Sequence, residues 1–261
     1  MTKHRTLAEW LAAEPFTLTL SSGFFGFFAH AGMLQALSDA GLRPARITGA
    51  SAGALVGSAH AAGLSPQRIV DELLGLARHD FWDPAPGLGF LRGARFRERL
   101  TRLLPVARFE ECAIPLAVSV HEWSSRRTKV MMHGDLVPAI YASCAVPLLF
   151  HPLRLEGNLC ADGGIGDRWG LAGTRAGERV LYHHLGSRSP WRRAGDPGLQ
   201  IPERDNLAAL ELREIPRSGP SKLQLGRQIV AQARAATMQA LQAAPGTESG
   251  SFRSTGGGPP K

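Results

Sequence analysis

The sequence predicts a three-layer α/β fold, in which helices cover both faces of a mainly parallel central sheet. Segments of strand character alternate with segments of helical character along most of the chain, which is the order that βαβ units produce. Hydrophobic residues make up 44% and charged residues 20% of the 261 residues, an ordinary globular composition. We therefore expect one domain over residues 1–244 and a disordered tail over residues 245–261, where Gly, Ser, Pro and Thr dominate.

The individual elements follow from residue type and hydrophobic spacing. Runs of β-branched or continuously apolar residues predict strands at 16–20, 46–49, 114–120, 128–132, 180–184 and 207–215, the last as an edge strand. Helical spacing and end residues predict helices at 6–13, 30–40, 52–62, 66–78, 95–104, 136–143 and 223–243. Residues 82–93 predict an irregular, partly apolar loop.

Charge and cysteine content narrow the partners and cofactors. A net charge of +8 suits a solvated surface, an anionic lipid or a nucleic acid, but no nucleic-acid motif occurs, so no nucleic-acid partner is expected. Three cysteines without a CxxC pair argue against a disulfide framework and a zinc site, and neither a metal nor a cofactor is expected. The sequence has no signal-type N-terminus and no apolar run of about 18 residues. We expect a cytoplasmic protein with at most peripheral membrane contact.

A serine stands between a predicted strand and a predicted helix. The segment Gly49-Ala50-Ser51-Ala52-Gly53 fits the pattern G-x-S-x-G in the strand–turn–helix setting that a nucleophile elbow requires. Gly49 and Gly53 suit a sharp turn with no room for side chains beside Ser51. Amides at a helix N-terminus also stabilise negative charge. The pattern favours Ser51 as a nucleophile, and a small-residue turn that packs a helix on a sheet is the alternative.

A second small-residue loop precedes the serine. Residues 21–26 read Ser-Ser-Gly-Phe-Phe-Gly and lie between the first strand and the next helix. Backbone amides of such a loop can bind an oxyanion, and a plain glycine turn is the alternative. The loop lacks the G-x-G-x-x-G spacing, which argues against a dinucleotide site.

A serine nucleophile needs a base, and two kinds of residue are candidates. The histidines considered are His30, His60, His121, His133, His151, His183 and His184. None of them stands in a late loop with an acid before it, as the triad of an α/β-hydrolase would require. The other candidate is Asp162, a lone carboxylate in the small-residue segment Cys160-Ala161-Asp162-Gly163-Gly164, where an Asx turn is the alternative.

At these three sites together, the sequence resembles the patatin-like phospholipase family. That family has a glycine-rich oxyanion loop after its first strand, a G-x-S-x-G elbow, and a D-G-G or D-G-A motif that carries an aspartate. The elbow matches at Gly49, Ser51 and Gly53, and the third motif matches at Asp162, Gly163 and Gly164. The flanking segments 30–37 and 136–147 also resemble the family, and the likeness covers residues 16–187.

The resemblance implies a Ser-Asp dyad made by Ser51 as nucleophile and Asp162 as base, with the amides of Gly23 and Phe24 as the oxyanion hole. The implied activity is a lipid acyl hydrolase of phospholipase A, lysophospholipase or lipase type, which works through an acyl-enzyme. The first motif departs from the family pattern, because only Gly23 remains of the usual glycine run and Gly26 stands where a basic residue is usual.

Three alternatives stay open at the level of sequence. The first concerns residues 82–93 and the helix at 95–104. These segments either shape the access of the acyl chain, or contact lipid through Phe90, Leu91 and Arg95, or pack against the rest of the protein without a further role. The altered glycine loop is also compatible with an inactive family member that binds lipid or a partner. An ordinary Ser-His-Asp esterase would instead place a histidine beside Ser51.

Overall fold

A sheet of nine strands forms the centre of the part of the chain that this computed structural model describes, namely residues 6–186, 196–213, 215–243 and 251–255. Together with a separate pair of strands, this sheet brings the described residues to eleven strands. They are β1 (Thr17–Leu20), β2 (Arg46–Ala50), β3 (Gly89–Leu91), β4 (Leu116–Glu122), β5 (Arg127–Met131), β6 (Leu148–Phe150), β7 (Leu153–Leu155), β8 (Asn158–Ala161), β9 (Val180–His184), β10 (Leu207–Arg213) and β11 (Ser251–Thr255).

The central sheet is mainly parallel. Its order is β11-β10-β9-β1-β2-β4-β8-β7, and β5 pairs with β4 outside this path. Every pair from β11 to β4 is parallel, whereas β5, β7 and β8 join antiparallel, and β4 and β5 form a hairpin. Strands β3 and β6 form a separate parallel pair. The α/β class with a mainly parallel sheet is therefore confirmed.

Seven α-helices accompany the sheet within the described residues. They are α1 (Leu7–Ala12), α2 (Phe27–Asp39), α3 (Ala52–Ala61), α4 (Pro66–Leu74), α5 (Ala94–Leu103), α6 (Leu136–Ser143) and α7 (Gly226–Gln242). Local sequence explains where α4 begins, because the Ser65 side chain accepts a hydrogen bond from the Arg68 amide and Pro66 occupies the first turn.

The large core lies between the sheet and helices α2, α3 and α7. Small residues allow these layers to approach closely. A Cβ at Gly32 of α2 would lie 2.4 Å from the carbonyl oxygen of Val230 in α7, so only glycine permits this helix crossing. On the opposite side of β1 and β2, Thr48 donates a hydrogen bond to the Gly170 carbonyl, and Trp169 and Leu171 pack against β9. Turns around residues 169–173 thus cover that face.

Four expectations differ from the observed elements. Strand β10 is not an edge strand, because β11 pairs with it in parallel. That partner strand, Ser251–Thr255, lies in the segment expected to be disordered, of which residues 245–250 and 256–261 lie outside the described residues. Helix α2 begins at Phe27 rather than His30, because Phe27 and Phe28 are buried in the core. Residues 82–93 include β3, whose partner β6 comes from far along the chain. The single-domain assignment of residues 1–244 stays a prediction.

The sheet order places a crevice beside β1. The chain leaves β1 to form β2 on one side, and it returns much later to place β9 on the other side. In open α/β sheets, ligands bind outside the carboxyl ends of the strands at such a point of reversal. The loops after β1 and β2, which carry residues 21–26 and Ser51, lie at this crevice.

Candidate active site

Ser51 lies between β2 and α3 with an unusual backbone conformation. Its φ is 53° and its ψ is −119°, a region that side chains rarely occupy and that costs about 1–3 kcal/mol. The flanking glycines make the turn possible. A Cβ at Gly53 would lie 2.1 Å from the Leu20 carbonyl oxygen, and a Cβ at Gly49 would lie 2.7 Å from the Gly53 backbone. The elbow predicted from G-x-S-x-G is therefore present in its geometry.

A chain of hydrogen bonds from α6 holds this strained backbone in place. The Ser51 amide donates to Ser143 Oγ at 2.9 Å, and Ser143 Oγ donates to the Ser119 carbonyl at 2.7 Å. The Cys144 thiol donates to the Ser51 carbonyl at 3.2 Å. Both backbone polar groups of Ser51 thus have partners, which offsets part of the conformational cost.

The Ser51 side chain points at Asp162. Ser51 Oγ donates to Asp162 Oδ2 at 2.7 Å, and the Gly164 amide donates to Asp162 Oδ1 at 2.8 Å. Asp162 is only 6% exposed. Burial raises the pKa of its carboxyl from about 3.8 to about 6, an effect that the Ser51 and Gly164 hydrogen bonds and the Arg168 charge partly offset. The arrangement brings a hydroxyl and a carboxylate of raised basicity together in a dry site.

The two glycines after Asp162 are required by the close approach of neighbouring segments. A Cβ at Gly163 would lie 2.0 Å from the Ser119 carbonyl oxygen, and a Cβ at Gly164 would lie 2.1 Å from Ser22 Oγ. The D-G-G segment is therefore wedged between β4 and the loop after β1. A few residues on, the buried Asp167 accepts hydrogen bonds from Ser119 Oγ and from the amides of Leu171 and Ala172, which fixes the chain that follows.

The loop after β1 forms a tight turn closed by a hydrogen bond from the Gly26 amide to the Gly23 carbonyl at 2.9 Å. In the described part of the chain, the amides of Gly23 and Phe24 donate to no protein acceptor. Both residues line the same pocket as Ser51 and Ala52, the first residue of α3. The loop thus offers unpaired donors beside Ser51, while their role as an oxyanion hole stays a prediction.

The loop also has a physical reason for lacking a basic side chain at Gly26. A Cβ there would lie 2.2 Å from Leu185 Cδ1, and one at Gly23 would lie 2.5 Å from the same atom. The buried cation near this loop is instead Arg168. Its guanidinium donates a hydrogen bond to the Leu185 carbonyl at 3.3 Å, and its charge lowers the pKa of Asp162.

An apolar pocket opens at Ser51. It is lined by Gly23, Phe24, Phe25, Phe27, Ser51, Ala52, Leu55, Val56, Ala59, Ile69, Glu72, Leu73, Leu76, Asp80, Phe81, Phe96, Arg99, Leu100, Leu103, Cys144, Val146 and Phe150. The helix at 95–104 contributes to its walls, which was one of the alternatives that the sequence left open, and Phe24 and Phe25 of the loop after β1 contribute as well. Leu91 does not face lipid, because it is 1% exposed and packs with Tyr141 and Phe150, whereas Phe90 and Arg95 are exposed.

The histidines take structural positions in the described chain. His30 and His183 are buried with their Nδ1 atoms 2.8 Å apart, and His30 Nε2 lies 2.8 Å from the Ser21 carbonyl oxygen. No histidine of the described residues is bonded to Ser51 or lines its pocket. This geometry disfavours a Ser-His-Asp site.

Sequence reasoning missed the residues that support the Ser51–Asp162 pair. Ser119 and Ser143 carry no local signal, because their role arises from contacts between β4, α6 and the elbow. Within the described ranges, no cluster of three or more His, Cys, Asp or Glu side chains could hold a metal ion. None of the helices there combines the length and apolar character needed to cross a bilayer.

The α/β sheet and the strained serine beside a buried carboxylate define a protein with nucleophile-elbow geometry. A family model described as patatin-like phospholipase matches residues 18–170, which is more than half of the chain. The chain belongs to the patatin-like phospholipase family, as the motifs predicted. At the level of the family, this supports a lipid hydrolase activity.

Individual relatives agree with this placement. Uncharacterized NTE family proteins of Mycobacterium bovis and Mycobacterium tuberculosis are 30% identical over 196 residues, covering 70% of this chain and 52% of theirs. The chain thus spans about half the length of the curated relatives it matches. The crystal structure of VipD from Legionella pneumophila superposes with a TM-score of 0.55 at 18% identity, covering 88% of this chain and 67% of that one, and supports the fold alone.

Proposed function

We propose that the protein is a carboxylic ester hydrolase that cleaves fatty acyl esters of lipids with a Ser51–Asp162 dyad. The observation that carries the proposal is the 2.7 Å hydrogen bond from Ser51 Oγ to Asp162 Oδ2 at the mouth of an apolar pocket. A hydroxyl becomes a nucleophile when an adjacent base takes its proton. Family membership and the apolar lining support a lipid as the source of the ester.

In the acylation step, Asp162 removes the proton from Ser51 Oγ as the oxygen bonds to the ester carbonyl carbon. The negative charge that develops on the carbonyl oxygen faces the unpaired amides of Gly23 and Phe24, and the amide of Ala52 at the start of α3 adds a third donor. The tetrahedral intermediate then collapses. The alcohol leaves with the proton from Asp162, and the acyl group remains on Ser51.

In the second step, Asp162 accepts a proton from water, whose oxygen attacks the acyl-enzyme carbonyl. Collapse of that intermediate releases the fatty acid and returns the proton to Ser51 Oγ. The raised pKa of Asp162, about 6, favours both proton transfers, because a carboxylate with a pKa near 4 would be a weaker base. Burial of Asp162 thus raises its basicity while leaving it ionised at neutral pH.

The proposal is tested by labelling and turnover with the same proteins. A fluorophosphonate probe is expected to label the wild-type protein at Ser51 and to leave the Ser51→Ala protein unlabelled. A panel of phospholipids, lysophospholipids and triacylglycerols, read by fatty-acid release, then identifies the lipid class. A folded wild-type protein that neither reacts with the probe nor releases fatty acid would favour the second candidate, a lipid- or partner-binding module, which the departure at Gly26 suggested.

The pocket mouth further suggests that the enzyme works at a lipid surface. Phe24, Leu88, Phe90 and Leu148, here called the mouth patch, are large apolar side chains that are each more than half exposed. Phe24 lies on the loop after β1, Leu88 directly precedes β3, and Phe90 and Leu148 belong to the β3–β6 pair, whose residue Phe150 also lines the pocket. Exposed apolar side chains of this kind mark interaction surfaces.

Cations accompany the mouth patch. Arg78, Arg92 and Arg95 are exposed, and the Arg78 guanidinium lies 3.7 Å from the centre of the Trp82 ring, which packs on Phe90. Apolar side chains flanked by arginines suit an anionic phospholipid surface. Leu148 is a second indication of a lipid-contacting surface. Its φ is 66°, a strained conformation for leucine, and its side chain is 72% exposed and therefore contributes little to the stability of the fold.

The substitution Leu148→Asn is expected to weaken binding to phosphatidylserine-containing vesicles by about tenfold, because it removes one inserted apolar side chain. Asn tolerates positive φ better than Leu, so thermal stability should be unchanged or slightly higher. Vesicle cosedimentation measures the binding. The matched control is Trp123→Asn, which alters an exposed aromatic residue outside the mouth patch. Equal vesicle binding by the wild type and the Leu148→Asn protein would remove the lipid-surface role.

A further inference from the structure

Three helices present matching stripes of side chains to the pocket. On each helix the lining residues are spaced i, i+3, i+4 and i+7, which places them on one face. The stripes are Ala52, Leu55, Val56 and Ala59 on α3; Ile69, Glu72, Leu73 and Leu76 on α4 and the turn after it; and Phe96, Arg99, Leu100 and Leu103 on α5. The pocket is therefore a channel that follows the axis of α3 away from Ser51.

The charged members of these stripes neutralise one another. Arg99 lies 3.2 Å from the Glu72 carboxylate and 3.1 Å from the Asp80 carboxylate, and Arg68 pairs with Glu72 from the outer side. The three helices otherwise offer only apolar side chains. The channel consequently suits an aliphatic chain rather than a second charged group.

The chain connectivity indicates which residues line the far end of the channel. Helix α4 follows α3 through a short turn, so its first pocket residue, Ile69, lies near the far end of α3, where Ala59 is. On α5, Phe96 packs with Phe150 near the mouth, so Leu103, about two turns later, lies towards the far end. Ala59, Ile69 and Leu103 thus line the end of the channel away from Ser51, which is here called the floor.

The depth of the channel follows from helix geometry. Eight residues separate Ser51 from Ala59, which corresponds to about 12 Å at a rise of 1.5 Å per residue. Carbon–carbon single bonds of about 1.5 Å at an angle near 111° advance an extended chain by about 1.25 Å per carbon, so the channel holds about ten carbons.

We propose that this channel is an acyl site of fixed depth, which makes medium-chain acyl esters of about ten carbons the preferred substrates. The inference rests on the proposed function, because the length of the acyl chain is counted from its bond to Ser51. It adds the acyl length and names Ala59, Ile69 and Leu103 as the residues that determine it.

The test is a series of nitrophenyl esters from butyrate to palmitate. The kcat/KM of the wild type is expected to peak near decanoate and to fall by about tenfold or more at palmitate, because the added carbons would overpack the floor. The Leu103→Ala protein should move the optimum towards longer esters, and the Ala59→Leu protein should move it towards shorter ones. Leu103→Ala has a matched control in Leu104→Ala, because Leu104 is the adjacent buried leucine and does not line the channel.

The outcomes separate this inference from the proposed function. A peak near decanoate that moves in opposite directions in the two floor variants, and stays in place in the Leu104→Ala protein, supports the fixed depth. Ser51-dependent turnover that is flat in chain length, or greatest for palmitate, overturns the depth and leaves the hydrolase intact. Absence of any Ser51-dependent turnover overturns both. Thermal unfolding of each variant verifies that it is folded.

Discussion

Replacing Asp162 by Asn is expected to lower kcat/KM for a nitrophenyl acyl ester on the order of 10³-fold, the contribution typical of a positioned general base. Asn has nearly the same shape and keeps a hydrogen-bond acceptor for the Gly164 amide, so the elbow should stay in place. It cannot take the proton of Ser51. The measurement is the initial rate of ester hydrolysis, divided by the concentration of folded protein in each preparation.

The wild-type pH profile tests the same role independently. Asp162 must be ionised to act as a base, and its pKa is about 6, so kcat/KM should rise as pH increases through about 6 and then level off. The control Asp39→Asn makes the same chemical change on an exposed carboxylate of α2 and should leave the profile unchanged. Full activity in the Asp162→Asn protein would exclude the dyad.

The same substitution is expected to stabilise the protein at neutral pH. The folded-state pKa of Asp162, about 6, lies above its ordinary value of 3.8, so the folded protein binds this proton more tightly than the unfolded chain. Keeping the carboxyl ionised above pH 6 therefore lowers the free energy of unfolding by up to about 3 kcal/mol. An Asn at this position removes that penalty. The gain should disappear as pH falls towards 3.8, where the wild-type carboxyl is protonated in both states.

The buried pair His30 and His183 has the opposite effect on the free energy of unfolding as pH falls. Burial lowers the pKa of His30 from 6.5 to about 4 and that of His183 in the same sense, so the unfolded chain binds these protons first as pH falls. His30 alone should remove up to about 3 kcal/mol of unfolding free energy between pH 6.5 and 4. In the wild type, protonation of Asp162 over nearly the same range offsets part of this loss.

Urea unfolding at several pH values between 7.5 and 4.5 distinguishes the two contributions. The Asp162→Asn protein should exceed the wild type in stability at pH 7.5 and should lose stability steeply on acidification, because nothing then opposes protonation of the histidines. Parallel pH dependence of the two proteins would contradict the raised pKa of Asp162. A flat curve for the Asp162→Asn protein would contradict the lowered pKa of His30.

Local sequence predicts the parts of this site that local chemistry determines. The elbow at Ser51 follows from glycine spacing and from its position between a strand and a helix, both of which the fold retains. Strands β4, β5 and β9 likewise follow from runs of apolar or β-branched residues. Asp162 required the family resemblance, because a carboxylate in a small-residue loop is equally typical of an Asx turn.

The remaining features depend on contacts between distant segments. The hydrogen-bond chain through Ser143 joins residues 92 positions apart, and the unpaired amides at Gly23 and Phe24 arise from a turn that packs on Leu185. The exposure of Phe90 and the burial of Leu91 follow from pairing of β3 with β6. No periodicity in a short segment encodes such pairings, which is why the lipid contact was assigned to one exposed and one buried neighbour.

The channel has a consequence for how such enzymes diversify. Its α4 and α5 walls come from one continuous stretch, residues 66–104, inserted between β2 and β4, whereas Ser51 and Asp162 are set by the strand ends, α6 and the loops around them. Much of the proposed acyl channel thus comes from a stretch apart from the segments that hold Ser51 and Asp162, whereas α3, which carries Ala59, belongs to both. Exchange of residues 66–104 between homologues should transfer the part of the acyl preference that Ile69 and Leu103 set, while Ser51 and Asp162 keep their positions.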